Sequence, residues 1–285
     1  LDRFVLKLAY VVHTAVHAES NPTGTLSSMV YMAYNQRSLF VTGVWTTVQL
    51  ALAGTAIAFV LALLMVFLRI QEPDKRNNDF VKIIKIVANK FARFYIFVIR
   101  GTPMMVQSLI FYYAIFNLFK RTGMSVTEIN RVWSLFISGL VTVSLNSTAY
   151  LAEVLRGGIL AVDAGQMEAA RSLGMTHWQA MRRVVFPQAI KNSLPAIGNE
   201  FIINIKDSSV LCVLGVSDLM FMTRSVAGIY YKGTECYLIA ATVYLFLTYL
   251  SSLLLKTITG RMTAPDNTKR RQGNQTVDLG LPSSN

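Results

Sequence analysis

The chain is short of charge, of histidine and of cysteine. Only 15% of its 285 residues are Asp, Glu, Lys or Arg, too few to dress the surface of a soluble domain that is 53% hydrophobic. Its 3 histidines and 2 cysteines show no metal-ligand spacing. Cys212 and Cys236 stand apart, and His13 and His17, which can share a helix face, lack a third ligand. There is no G-x-x-x-x-G-K-[ST] phosphate loop, so ATP hydrolysis by this chain is not expected. Nor do the histidines and cysteines supply the nucleophile and base, or the metal cluster, of a membrane enzyme.

Charge is missing altogether from four long runs: Ser38–Leu68, Gly101–Phe119, Val132–Ala152 and Cys236–Leu255. Each approaches the ~20 residues that a helix needs to cross ~30 Å of hydrocarbon. The fold class is therefore all-α integral membrane, with about five transmembrane helices, near 41–68, 96–119, 133–155, 187–213 and 236–258. The fourth is hidden from hydropathy by Pro187, Lys191, Pro195 and Glu200, and a helix so polar must face protein or a water-filled cavity.

The net charge of +12 has a membrane explanation, because no aromatic and basic stacking motif points to nucleic acid. In the loops after spans 1 and 3 and at the C-terminal end there are 17 Lys and Arg, against 8 on the alternate side. The positive-inside rule then puts the N-terminus outside and the C-terminus inside. Residues 1–38 read as an extracytoplasmic segment, in which Phe4–Ala18 is an interfacial helix or a remnant of a signal segment. Residues 39–260 form the transmembrane domain, with a cytoplasmic loop at about 159–187. Residues 261–285, polar and basic, read as a disordered cytoplasmic tail.

That loop contains GQMEAARSLGMTHWQAMRRVVFPQ. Gln166–Leu173 predicts a short helix, Gly174 a left-handed residue that ends it, and Thr176 with Gln179 a capping box that starts the next. Pro187 stands where the second helix meets the membrane. Small residues beside a single acid, Glu168, fit either docking into another protein's groove or a tight turn without a partner.

The loop resembles the EAA loop of ABC-importer permeases: Glu168, Ala169, Ala170, Gly174, Val184, Phe186 and Pro187 fall on its places, with Val and Phe where Ile and Leu are usual. Arg100–Gln107 (RGTPMMVQ), Ala149–Gly158 (AYLAEVLRGG), Leu194–Ile202 and Lys206–Val210 are similar to segments of the branch that carries polar amino acids of the histidine, glutamine and arginine type. The resemblance covers roughly residues 40–260. It implies a type I importer bundle in a bacterial cytoplasmic membrane. It also implies two ABC ATPase subunits that bind ATP–Mg, a second permease subunit and an extracytoplasmic solute-binding protein. Gln166, Glu168, Ala169, Ala170, Gly174 and Pro187 would couple the chain to the ATPases, and no cofactor is expected in the chain itself.

Helical phase proposes the path. Ser193, Glu200, Asn204 and Asp207 share one stripe on the fourth span, and Thr142, Asn146 and Glu153 share one on the third. Amides and carboxylates are costly in lipid, so both stripes should point inward. Glu153 has a competing assignment as an i,i+3 ion pair with Arg156. At the entrance of span 2, Arg100, Gly101 and Pro103 mark a place where the chain can bend, since Pro lacks an N–H and Gly is permissive. A passive channel and an importer of a different small polar solute remain the competing readings.

Overall fold

The computed structural model describes residues 2–18, 20–70 and 78–262, and all the regular structure among them is helical. The stretch 71–77 and the tail from residue 263 lie outside the described residues, so the expectation of a disordered tail is left where the sequence put it. Helix α1 (Asp2–Val16) packs on α2 (Thr25–Asn35), and Gln36 alone separates α2 from α3 (Arg37–Ile70).

Helices α3 and α7 (Leu135–Leu160) form the central pair. Their contact is built from small residues, with Ala58, Ala62, Ala149 and Ala152 all buried. Lipid tails are as apolar as leucine, so helices associate there through close packing and shared hydrogen bonds, and small side chains let backbones approach. The two helices run in the same direction: Gly54 at the middle of α3 meets Val143, and Arg69 at its end pairs with Glu153 further along α7.

Helix α10 (Phe186–Asp207) runs the opposite way across both, with Ser193 beside Val154 and Asn204 beside Ser147. The approach is close at Gly158, where a Cβ would collide with Ser193 Oγ and stand 2.6 Å from the Ala189 carbonyl oxygen. A 3-10 turn, Ser208–Val213, carries the chain to α11 (Leu219–Tyr230), a short helix buried against α3 and α12 (Gly233–Met262). Asp218 starts α11 by accepting from the Phe221 N–H at 2.9 Å, and the Leu219 N–H donates to Thr47 Oγ1 of α3 at 3.1 Å.

Among the described residues, three helices, α3, α7 and α12, are long and apolar enough to cross a membrane. A fourth span exists if α4 (Asp79–Gly101) and α5 (Met104–Arg121) are counted together, although the two are bent by 113° at Thr102–Pro103. This alters the expected continuous span at 96–119. Pro103 cannot continue the ladder of α4, and Thr102 before it is extended at φ −123° and ψ 145°. The stretch expected as a plain basic loop is mostly α4, whose lysines recur at helical spacing between apolar residues. The expected polar span is α10, a 22-residue helix that the hydropathy of its own sequence conceals. The short α6 (Val126–Val132) links α5 to α7. It opens with a capping box in which Ser125 holds the Glu128 carboxyl below the ordinary carboxylate range.

Candidate functional site

Two constellations stand out, a polar seam between the helices and an elbow at one end of them. In the seam, Asn204 on α10 donates from Nδ2 to Thr55 Oγ1 on α3 at 2.8 Å, and its Oδ1 accepts from Ser147 Oγ on α7 at 2.9 Å. One amide thus ties three helices together. Thr55 passes its own proton to the Ala51 carbonyl at 2.7 Å, as a helical threonine can without leaving its turn. Asn146, one residue before Ser147, donates to Gln107 Oε1 on α5 at 2.9 Å.

Gln107 in turn holds the break between α4 and α5. Its Nε2 lies 2.7 Å from the Ile99 carbonyl, 2.9 Å from the Thr102 carbonyl and 2.8 Å from Thr102 Oγ1. These acceptors lie where the bend interrupts the helix, and a buried amide satisfies them. Gln107 belongs to the quoted RGTPMMVQ segment, yet no role was assigned to it from sequence. Its signal was an amide inside an uncharged run, which must find a partner in lipid.

The path candidates are placed unequally. Thr142, Asn146, Ser193, Glu200 and Asn204 are all buried, while Asp207 at the end of α10 is exposed, so the expected stripe on α10 divides at its last member. Thr142 and Ser193 direct their hydroxyls to carbonyls of their own helices, Ser138 at 2.9 Å and Ala189 at 2.8 Å. Glu153 is held by both Arg69 and Arg156, the latter at 3.0 Å, as the ion-pair assignment required. At the bend, Arg100 lies over the ring of Tyr150, 5.2 Å from its centroid.

The elbow follows α7. Helix α8 (Ala164–Ser172) starts at Asp163, whose Oδ1 accepts from the Gly165 N–H at 2.7 Å. It ends at Gly174, φ +84°, with the Gly174 N–H on the Arg171 carbonyl and the Met175 N–H on the Ala170 carbonyl, a Schellman pair. Thr176 and Gln179 exchange the expected capping box, 3.2 and 2.9 Å, and start α9 (His177–Ala180). A π-helical turn, Met181–Val185, then joins α9 to α10, which the sequence reading did not foresee. Ala170 and Ala180 are buried within the elbow, and Pro187 stands in the first turn of α10 directly after the π-helical turn.

The elbow is anchored at two points. Gln188 Nε2 on α10 reaches Gln166 Oε1 at 3.3 Å, and the Trp178 ring meets Phe67 at the end of α3 edge-on at 5.7 Å. Its outer face is open: Gln166, Glu168, Ala169 and Gly174 are exposed, and Leu173 is 81% exposed.

Residues 84–264 match the family described as the binding-protein-dependent transport system inner membrane component. The chain belongs to this family. Among its relatives, the nopaline transport system permease protein NocM of Agrobacterium fabrum is 31% identical over 74% of this chain and 82% of its own length. The glutamine transport system permease protein GlnP of Escherichia coli strain K12 is 34% identical over 62% of this chain and 76% of its own. The probable amino-acid permease protein YxeN of Bacillus subtilis is 37% identical over 64% and 78%. A solved amino acid ABC transporter, in a crystal structure with histidines, superposes with a TM-score of 0.66 at 39% identity, over 80% of this chain and 95% of that one. The MetNI methionine ABC transporter, at 19% identity and a TM-score of 0.63, shares the fold. The chain is thus an integral membrane protein of the type I importer fold and a permease subunit of an ABC transporter, which is not itself catalytic.

Proposed function

We propose that this permease carries a polar amino acid inward across a bacterial cytoplasmic membrane, its N-terminus outside and its C-terminus inside. Two ABC ATPase subunits bind ATP–Mg and receive the elbow. A second permease subunit completes the path, and an extracytoplasmic solute-binding protein delivers the cargo. The observation that carries this reading is the open elbow, built stiffly from a Schellman end and a capping box and anchored to both α10 and α3. The cargo class follows the relatives named for glutamine, nopaline and amino acids and the solved relative crystallised with histidines.

Force applied at Glu168 and Leu173 reaches α10 through Gln188 and α3 through Phe67. From there Asn204 ties α10 and α3 to α7, and Asn146 ties α7 to α5 through Gln107. The helices therefore shift as one packed block between two arrangements, a rigid-body mode of transmission. Polar residues of the seam, with Thr142, Ser193, Glu200 and Asp207, border the side from which a path opens.

Glu168→Lys reverses the charge of the contact face, and Gly174→Asp adds a side chain and a charge at a left-handed residue. Each is expected to abolish ATP-dependent uptake by the reconstituted transporter while the permease still folds. Uptake unaltered by both changes overturns the docking reading.

A further inference from the structure

Helix α4 presents three faces. Ala92, Ile96 and Ile99 are buried against the bundle. Phe80, Ile84, Val87, Phe91, Phe94 and Val98 recur at three- and four-residue spacing and are all exposed, an apolar stripe without protein cover. A third face carries Lys85, Asn89, Lys90 and Arg93. A surface helix with separate apolar and basic faces belongs at a membrane–water boundary, its apolar side in the acyl region and its cations among headgroups.

The basic face closes one side of a cleft of about 700 Å³ between the ends of α3 and α7 and the middle of α4. Five cations line it: Arg69, Lys85, Lys90, Arg93 and Arg156. Two of them, Arg69 and Arg156, pair with Glu153. The rim is apolar, with Ile86 and Leu160 exposed on either side. Asn89 spends its amide on the Arg69 carbonyl at 2.6 Å, fixing α4 against the end of α3 and so fixing the width of the cleft.

We infer that this cleft binds the headgroup of an anionic phospholipid. Its phosphodiester sits among the cations, and its acyl chains lie along the exposed apolar stripe of α4. Cations alone would accept any phosphate. The apolar rim and the neighbouring stripe select a phosphate that carries hydrocarbon. Basic pockets between helices at a membrane surface recognise such headgroups through this combination. The site lies apart from the elbow's outer face and from the polar seam, so it stands or falls independently of the cargo and of ATPase coupling.

The test uses the full-length permease in its assembled transporter, released from bilayers of mixed phosphatidylglycerol and phosphatidylcholine, with retained lipid counted by native mass spectrometry. Wild-type protein is expected to keep phosphatidylglycerol in preference to phosphatidylcholine, also in excess inorganic phosphate. Lys90→Gln with Arg93→Gln, which leaves the Glu153 pairs intact, should weaken that retention roughly ten- to thirtyfold, at about fivefold per charge. Lys120→Gln with Arg121→Gln, at the far end of α5, should leave it unchanged. Equal retention of the two lipids, equal retention by the cleft variant, or displacement by inorganic phosphate overturns the inference. The readout needs neither uptake nor ATP, so a failure of the transport reading leaves it intact.

Discussion

At the scale of single residues, two amides of the polar seam, Asn146 and Asn204, fasten helices to one another. Asn204 is 2% exposed and both ends of its amide are taken by protein. Asn204→Leu keeps the volume and removes both ties. Interhelical hydrogen bonds in membranes average about 0.6 kcal/mol and reach about 1.7, so a loss of roughly 1–3 kcal/mol is expected, read as a lowered unfolding temperature in detergent. Selectivity among amino acids should not change. Altered selectivity with unchanged stability would put Asn204 in the path instead. The sequence showed that Asn146 on one stripe and Ser193, Glu200 and Asn204 on another must avoid lipid, because amides and carboxylates are costly there. It could not show their partners, since Thr55, Ser147 and Gln107 lie 149, 57 and 39 residues from the groups they bond. The Glu153 pair with Arg156 was legible because both ends lie on one turn, and the further pairing with Arg69 was not, because it crosses helices.

At the scale of elements, two irregularities decide where the rigid pieces point. The first is the 113° bend between α4 and α5. Arg100-Gly-Thr-Pro103 announced a bend through the missing N–H, but not its partner, the Gln107 amide of α5, which holds the Ile99 and Thr102 carbonyls at the end of α4. Gln107→Leu leaves the buried Ile99 carbonyl and the Asn146 amide without their partner, a cost of about 1–3 kcal/mol for each orphaned group. The expected result is faster amide exchange confined to residues on either side of Thr102. The second irregularity is the π-helical turn Met181–Val185, in which the helix accommodates an extra residue. Nothing in its composition distinguishes MRRVV from an ordinary helix, so it stayed invisible. Deleting Arg182 should restore α-helical pairing and remove the bulge on which the elbow is seated against α10. The prediction is a transporter that still assembles in the membrane but loses ATP-dependent uptake. Normal uptake by that deletion variant would show that the π-helical turn is immaterial to coupling.

At the scale of the whole molecule, the chain is a block of helices cross-linked by amides and carrying one exposed handle. Hydropathy found α3, α7 and α12 because each carries a long uncharged apolar run. It missed α10 because Pro187, Lys191, Pro195 and Glu200 interrupt its run, and it missed α4 and α11 as helices because neither is uniformly apolar. The central claim is that this block, moved through its handle, passes a polar amino acid inward at the expense of ATP. The most direct measurement is uptake of a panel of labelled amino acids into proteoliposomes holding the permease with its ATPase subunits and supplied with its binding protein. The account predicts uptake of one or a few polar amino acids that requires all partners and ATP on the elbow side. Equal flux through the permease alone, without nucleotide, would contradict it and identify a passive channel.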